Sequence, residues 1–427
     1  MVFISFTLTT IAVLFAPLLP PAPLLEGAQP VSLEARTFIL ACYAAFGLSY
    51  ALSASGAPAR RAAARAYNCG GSGPVLVVRP AYLLLLVGWS AIGAAVSILQ
   101  IHTSVGFATY ASMLDVGGRM AEDARGATVG LEGSIGGLPG WIKMWNQNCT
   151  ASLLIVLNLV MARRKLPQRW GPLCVGLLIS LFIVRNFLYL DRLSLLVLVP
   201  PIAEVWRHGR KRTRRWILAG AGAVLILAQV QSLRRGYGFG ALEFLVLYVQ
   251  SGAINLTLMI DSLEGGHTYG LVTVLSPIYF AAKAFGVRLY DTSPHFLWVW
   301  NHAQDAYGTL FQDFGWFAPC TFLPFGFLAR WADLGSARTR GSSLKGAATR
   351  ERVKLLLGYA ALSMMFVPAY QGPEFYLTLA AVLAATSAEY RRPRLCFLPL
   401  PAARASKPGR PAPRPRWSYP TGQPLTP

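Results

Sequence analysis

The segment NHAQDAYGTLFQDFGW, residues 301–316, sets His302, Asp305 and Asp313 close together just ahead of the apolar run FAPCTFLPFGFLARW. On a helix His302 and Asp305 share a face at i, i+3, and a carboxylate beside an imidazole supports its basicity. Such a pair suits a general base that takes a proton from an attacking sugar hydroxyl. Asp313 then caps or orients the apolar helix that follows. His267 and His295 compete for the same role, and a histidine that is merely polar at a membrane surface is the plainer alternative.

Four arginines form the second group. Arg185 lies within FIVRNFLYLDR, inside an apolar block, and Arg192 follows seven residues later. A charge inside a membrane span is costly and marks a functional position by default. Arg234 and Arg235 stand together in QSLRRGYGFG, at a place where the positive-inside tendency disfavours them. Guanidinium forks bind phosphate oxygens bidentately, and several converging forks suit a pyrophosphate. Snorkelling to headgroups, an Arg192–Asp191 contact, or anchoring beside Tyr237 would explain the same residues without chemistry. The sequence has no GxxxxGK[ST] loop, no HExxH or other metal-ligand spacing and no GxSxG elbow, so no cofactor and no metal are expected. Six cysteines are scattered without paired spacing and read as buried, reduced thiols.

The elements that must hold these residues are long and apolar. The chain has 427 residues, 54% hydrophobic and 13% charged. Soluble domains carry about a quarter charged residues, and the apolar residues here come in blocks long enough for helices crossing about 30 Å of hydrocarbon. An all-α, polytopic membrane protein of ten to twelve spans is expected. The net charge of +21 sits in short basic runs between the blocks, which points to an anionic inner leaflet and away from nucleic acid.

The first three spans are expected at Met1 to Leu25, Thr37 to Ser55 and Ala81 to Gln100. An external loop at about 101–145 leads to Asn146 to Met161, Gly171 to Leu190, Leu193 to Trp206 and Trp216 to Gln231. A large external region, about 232–307, contains two apolar stretches, Leu242 to Ile260 and Tyr269 to Ala284. Leu310 to Leu328 returns inside, and Leu355 to Tyr370 with Phe375 to Ala388 closes a hairpin. Basic runs at Arg60, Arg163, Arg207 and Arg391 place both termini in the cytoplasm. Residues 1–390 form the membrane domain, and 391–427, rich in Pro and Arg, reads as a disordered basic tail.

Three stretches carry a family resemblance: LDRLSLLVLV, RRGYGFGALEFLVLYVQSGAINL and YGTLFQDFGWFAPCTFLPFGF. With the order of spans, the large outer region and the late hairpin, they resemble the Wzy-type oligosaccharide repeat unit polymerases of O-antigen and exopolysaccharide synthesis, over mainly Asn186 to Leu328. The resemblance implies polymerisation of undecaprenyl-pyrophosphate-linked repeat units at the outer face of a bacterial inner membrane. It implies a membrane glycosyltransferase, with a flippase and a chain-length regulator as partners. Arg185, Arg192, Arg234 and Arg235 would hold the pyrophosphate, and Tyr237, Tyr248 and Tyr307 would contact substrate. His302, Asp305 and Asp313 would carry catalysis. An O-antigen ligase, a polytopic transporter or flippase, and a polysaccharide acyltransferase are the competing readings. A transporter would need polar residues at the midplane of several helices, whereas the sequence sets them near the outer mouth.

Overall fold

The structure is a computed structural model. It describes residues 1–19, 25, 28–53, 75–116, 138–139, 142, 145, 148–161, 170–189, 199–208, 241–263, 266–285, 287, 305–334, 344–364 and 373–392. Their regular structure is helical apart from one two-stranded ribbon. The helices are α1 (Val2–Phe15), α2 (Leu33–Leu52), α3 (Pro80–Ser104), α4 (Phe107–Val116), α5 (Asn148–Met161), α6 (Gly171–Tyr189), α7 (Val199–His208), α8 (Ala241–Ser262), α9 (Ser276–Ala284), α10 (Ala306–Phe314), α11 (Phe322–Asp333), α12 (Leu344–Ser363) and α13 (Pro373–Ala388).

Local chemistry starts several of them. Ser32 caps α2 by accepting from Ala35 N, with Glu34 in the first turn, and Pro80 opens α3 where a missing N–H costs nothing. Among the described residues, α2 and α3 are long and apolar enough to cross a membrane by length and composition. Val2–Leu18, Gly171–Asn186 and Phe375–Ala384 are shorter apolar helices.

Helices α1, α2, α11 and α12 pack together, and α3, α5 and α6 form a second group. Asp333, at the end of α11, draws three helix ends to one point. It accepts from the Met1 ammonium at 2.8 Å, from Val2 N at 3.1 Å and from the Tyr50 hydroxyl at 3.2 Å. The start of α1 therefore meets the ends of α2 and α11, so α1 runs antiparallel to both. The Phe6 ring sits tilted between them, its centroid 4.1 Å from that of Phe46 and 5.5 Å from that of Phe322. The closest approach is at Gly326, where a Cβ would lie 1.9 Å from Ser49 Oγ and 2.6 Å from the Phe46 carbonyl oxygen. A glycine is required there.

Strand β1 (Val75–Val78) pairs antiparallel with β2 (Glu389–Arg392), Val75 opposite Arg392 and Val78 opposite Glu389. Beside this short ribbon the regular structure of the described residues is helical, in line with the all-α expectation. The ribbon carries the first compact unit to Arg392, two residues beyond the expected boundary.

Two expected helices are not continuous. Tyr269 to Ala284 begins as a turn, in which Tyr269 (φ 50°) and Gly270 (φ 89°) have left-handed backbone, and becomes helical only at Ser276. Leu310 to Leu328 breaks at Gly315, whose φ of 53° ends α10. A 3-10 segment, Gly315–Thr321, with Pro319 inside it, then leads to α11. The segment 101–145, expected as an external loop, contains α4. The expected span Trp216 to Gln231 lies outside the described residues.

Candidate functional site

The FQDFG stretch at the end of α10 is built as a latch. Asp313 is fully buried, and both of its carboxylate oxygens are occupied. Thr268 Oγ1 donates to Oδ1, joined by Val272 N at 3.2 Å; Thr273 Oγ1 donates to Oδ2, joined by Thr273 N at 2.7 Å. Two backbone bonds run alongside, Thr268 N to Gln312 O at 3.1 Å and Tyr269 N to Asp313 O at 3.0 Å. One side chain thus fixes the whole turn from Thr268 to Thr273. Four donors hold this carboxylate in place as the anchor of the turn. Asp313 thereby orients the turn against the end of α10, the orienting part of the role expected for it.

The next two residues complete the latch. The Phe314 ring lies 3.2 Å from where a Cβ on Gly270 would stand. Gly315 bears the His267 ring directly, since a Cβ there would come within 2.8 Å of Cε1 and Nε2. Residues 267–270, HTYG, are therefore matched against 313–315, DFG. His267 Nδ1 is 3.3 Å from Gln312 O. A carbonyl only accepts, so Nδ1 is the donor in this contact. Around the latch Tyr269 and Phe317 are exposed, at 79% and 80%.

Asp305 is not at an outer cavity, as expected from the sequence, but inside the bundle at 1% exposure. It caps α10, its Oδ1 accepting from Gly308 N at 2.7 Å. The chain enters α10 within the helix bundle, where Ala306 N donates to Met364 O at 2.9 Å, so the cap is interior. Tyr307, expected to touch substrate, is also fully buried, and its hydroxyl is 3.0 Å from Thr10 Oγ1. It packs α10 against α1, with its ring 6.0 Å from Phe322.

Arg185 is 2% exposed on α6. It donates to Asn186 Oδ1 at 3.2 Å and lies within electrostatic reach of Cys149. It adjoins a polar seam between α3, α5 and α6 that includes Ser90, Ser97, Gln100, Asn148 and Thr150, all buried. Ser90, Ser97 and Gln100 share a face of α3, a spacing visible in the sequence but hidden among apolar neighbours. Both ends of the Asn148 amide and the Thr150 hydroxyl lack partners.

The structure brings His267 and Asp313 to one latch and leaves Arg185 in a separate helix group. Tyr248 falls on α8. His302, His295, Arg192, Arg234, Arg235 and Tyr237 lie outside the described residues. Among the described residues no group of three His, Cys, Asp or Glu side chains could hold a metal. No protein family, curated protein or solved structure matches this chain.

Proposed function

We propose that this chain is a multi-pass inner-membrane polymerase of lipid-linked oligosaccharide repeat units. The observation that carries the proposal is the latch. The Asp313–Phe314–Gly315 tripeptide, which lies in one of the three stretches that carry the sequence resemblance, anchors the segment that precedes it and seats the His267 ring against Gly315.

In this reading a hydroxyl of the acceptor repeat unit attacks the anomeric carbon of the growing glycan. A new C–O bond forms as the bond to the lipid pyrophosphate breaks, and the departing pyrophosphate takes the electron pair. The hydroxyl proton passes to a histidine, for which His267 competes more strongly than His302, because Asp305 points into the bundle. Arginine forks would stabilise the charge that develops on the leaving group. Arg185 is the described candidate.

Membrane residence is supported by apolar side chains that face outward on helices whose other side is packed. On α1, Ile4, Leu8, Ile11 and Phe15 are exposed while Val2, Phe6 and Val13 are buried. Helices α2, α3 and α6 repeat the pattern, with Leu40 and Leu48, Leu84 and Leu85, and Leu177 and Ile183 outward. A soluble protein rarely exposes contiguous apolar surface on this scale. The basic runs at Arg60, Arg163, Arg207 and Arg391 support cytoplasmic ends.

A second reading, a transporter of the same pathway, is favoured by one observation: the nine-residue α10 begins inside the bundle, as discontinuous helices do at transporter sites. Deleting the gene and resolving the surface polysaccharide on a gel separates the two. A polymerase mutant leaves single repeat units on the lipid-linked acceptor. Complete absence of surface repeat units would overturn the polymerase proposal and favour transport.

A further inference from the structure

Asp305 has a feature that neither helix capping nor the proposed transfer reaction uses. Its second oxygen, Oδ2, is buried and has no hydrogen-bond partner. The side chain is sealed by α8. A Cβ on Gly252 would lie 3.1 Å from Asp305 Cβ and 3.4 Å from Oδ2, so neither water nor a counter-ion fits on that side.

The groups that face it can be named element by element. From α2 come Cys42, within electrostatic reach of Asp305, and Tyr43, within reach of Tyr307. From α10 itself come the Gly308 and Tyr307 N–H groups, and the Tyr307 hydroxyl, which is engaged with Thr10 on α1. From beyond α12 comes the Met364 carbonyl, already bonded to Ala306 N. No lysine or arginine among the described residues reaches it. Backbone N–H groups and the dipole of a nine-residue helix favour an anion, but a buried charge with a bare oxygen costs several kcal/mol. A carboxylic acid, by contrast, places its hydrogen on Oδ2 and still accepts from Gly308 through Oδ1.

We propose that Asp305 is a proton-binding site in the bundle interior, and that its proton is what allows α8 to close on the start of α10. Loss of the proton would require water or a cation at Oδ2. Among the described residues, the glycine that closes on Asp305 is Gly252, so α8 is the element that would withdraw. Among the described residues no cluster of His, Cys, Asp or Glu joins Asp305 to hold a metal, so the ligand the site fits is the proton. This inference stands apart from the polymerase reading, and its tests do not use polymer formation.

Full-length protein and the Asp305→Asn variant, both reconstituted in lipid vesicles, are compared by infrared difference spectroscopy across a pH titration. The expected result is a protonated carboxylic C=O band at neutral pH that is lost in the variant. Labelling of Cys42 by a small thiol reagent, read at that residue by mass spectrometry, reports closure. The ratio of its rate in wild type to that in Asp305→Asn should rise about tenfold as the band titrates away, the equivalent of one unit of differential protonation. Absence of an acid band assignable to Asp305 at neutral pH overturns the proton site. A flat Cys42 ratio while the band titrates overturns the coupling to α8. Should Asp305→Asn fail to insert, Gly252→Ala serves instead, since its Cβ presses on an intact carboxyl. A shifted band is then expected, and an unchanged one refutes the contact.

Discussion

Replacing Asp313 by Asn keeps the side chain's size but gives it only one accepting atom. In the native latch Oδ1 faces Val272 N at 3.2 Å and Oδ2 faces Thr273 N at 2.7 Å. Whichever way the amide turns, its NH₂ meets one of these backbone N–H groups. The two threonine hydroxyls can rotate to accept; a backbone N–H cannot. One buried donor is orphaned at a cost of about 1–3 kcal/mol, and the surviving bonds lose their charge assistance, worth about 1 kcal/mol more. The expected destabilisation of the latch is therefore about 2–4 kcal/mol. Thermal unfolding of the purified variant should show it, and chymotrypsin should cut at Tyr269 in membranes that leave wild type intact. Polymer should fall in step with the loosened segment. If the Asp313→Asn protein keeps the wild-type midpoint and protease resistance yet makes no polymer, Asp313 acts in the chemistry and the clamp reasoning fails.

Gly315→Ala forces a side chain into left-handed backbone and onto the His267 ring. It should cost about 1–3 kcal/mol for the backbone alone and raise protease sensitivity at the same turn, an outcome excluded if its melting curve overlays wild type. Gly326→Ala should separate α2 from α11 and lower stability by about 1–3 kcal/mol. Ser49→Ala in the same chain should not restore it, because the Phe46 carbonyl still blocks the Cβ; full rescue in the double variant would contradict the backbone contact. Tyr307→Phe removes one buried hydrogen bond while Thr10 Oγ1 keeps its bond to Phe6 O at 2.9 Å. A loss of about 1 kcal/mol in unfolding with normal polymer is expected, and absent polymer at normal stability would return Tyr307 to the substrate.

Hydropathy located α2, α3, α6 and α8 to within a few residues, because an apolar block bounded by Ser, Pro or Gly leaves little choice. It missed the break at Gly315. Averaged hydropathy responds to side chains, whereas positive φ at one glycine and a proline four residues on are backbone facts. The DFG tripeptide was legible as unusual, but its partner, HTYG, was not. The two meet through hydrogen bonds to main chain, which impose no periodicity on the sequence. Asp305 misled for a different reason. A capping aspartate normally marks a helix start at a surface, and only the tertiary fold reveals that α10 starts within the bundle. Arg185 lies on an apolar helix, as its neighbours in sequence imply, and only packing reveals that it is buried there. The ribbon escaped because VLVV is too short to signal a strand without its partner.

That ribbon joins Val75–Val78 to Glu389–Arg392, and it bears on the order in which the molecule assembles. During synthesis the first strand leaves the ribosome long before the second exists, so every intervening helix precedes their pairing. Entropy of closing so long a loop grows only logarithmically with length once the helices have brought the ends near. Such a distant contact is nonetheless among the slowest to find. Until then an apolar edge stays open, the kind of edge that recruits other chains. A nascent chain stopped before Glu389 would keep that edge for its lifetime, and its fate would be set by aggregation and proteolysis, not by any defect in the helices.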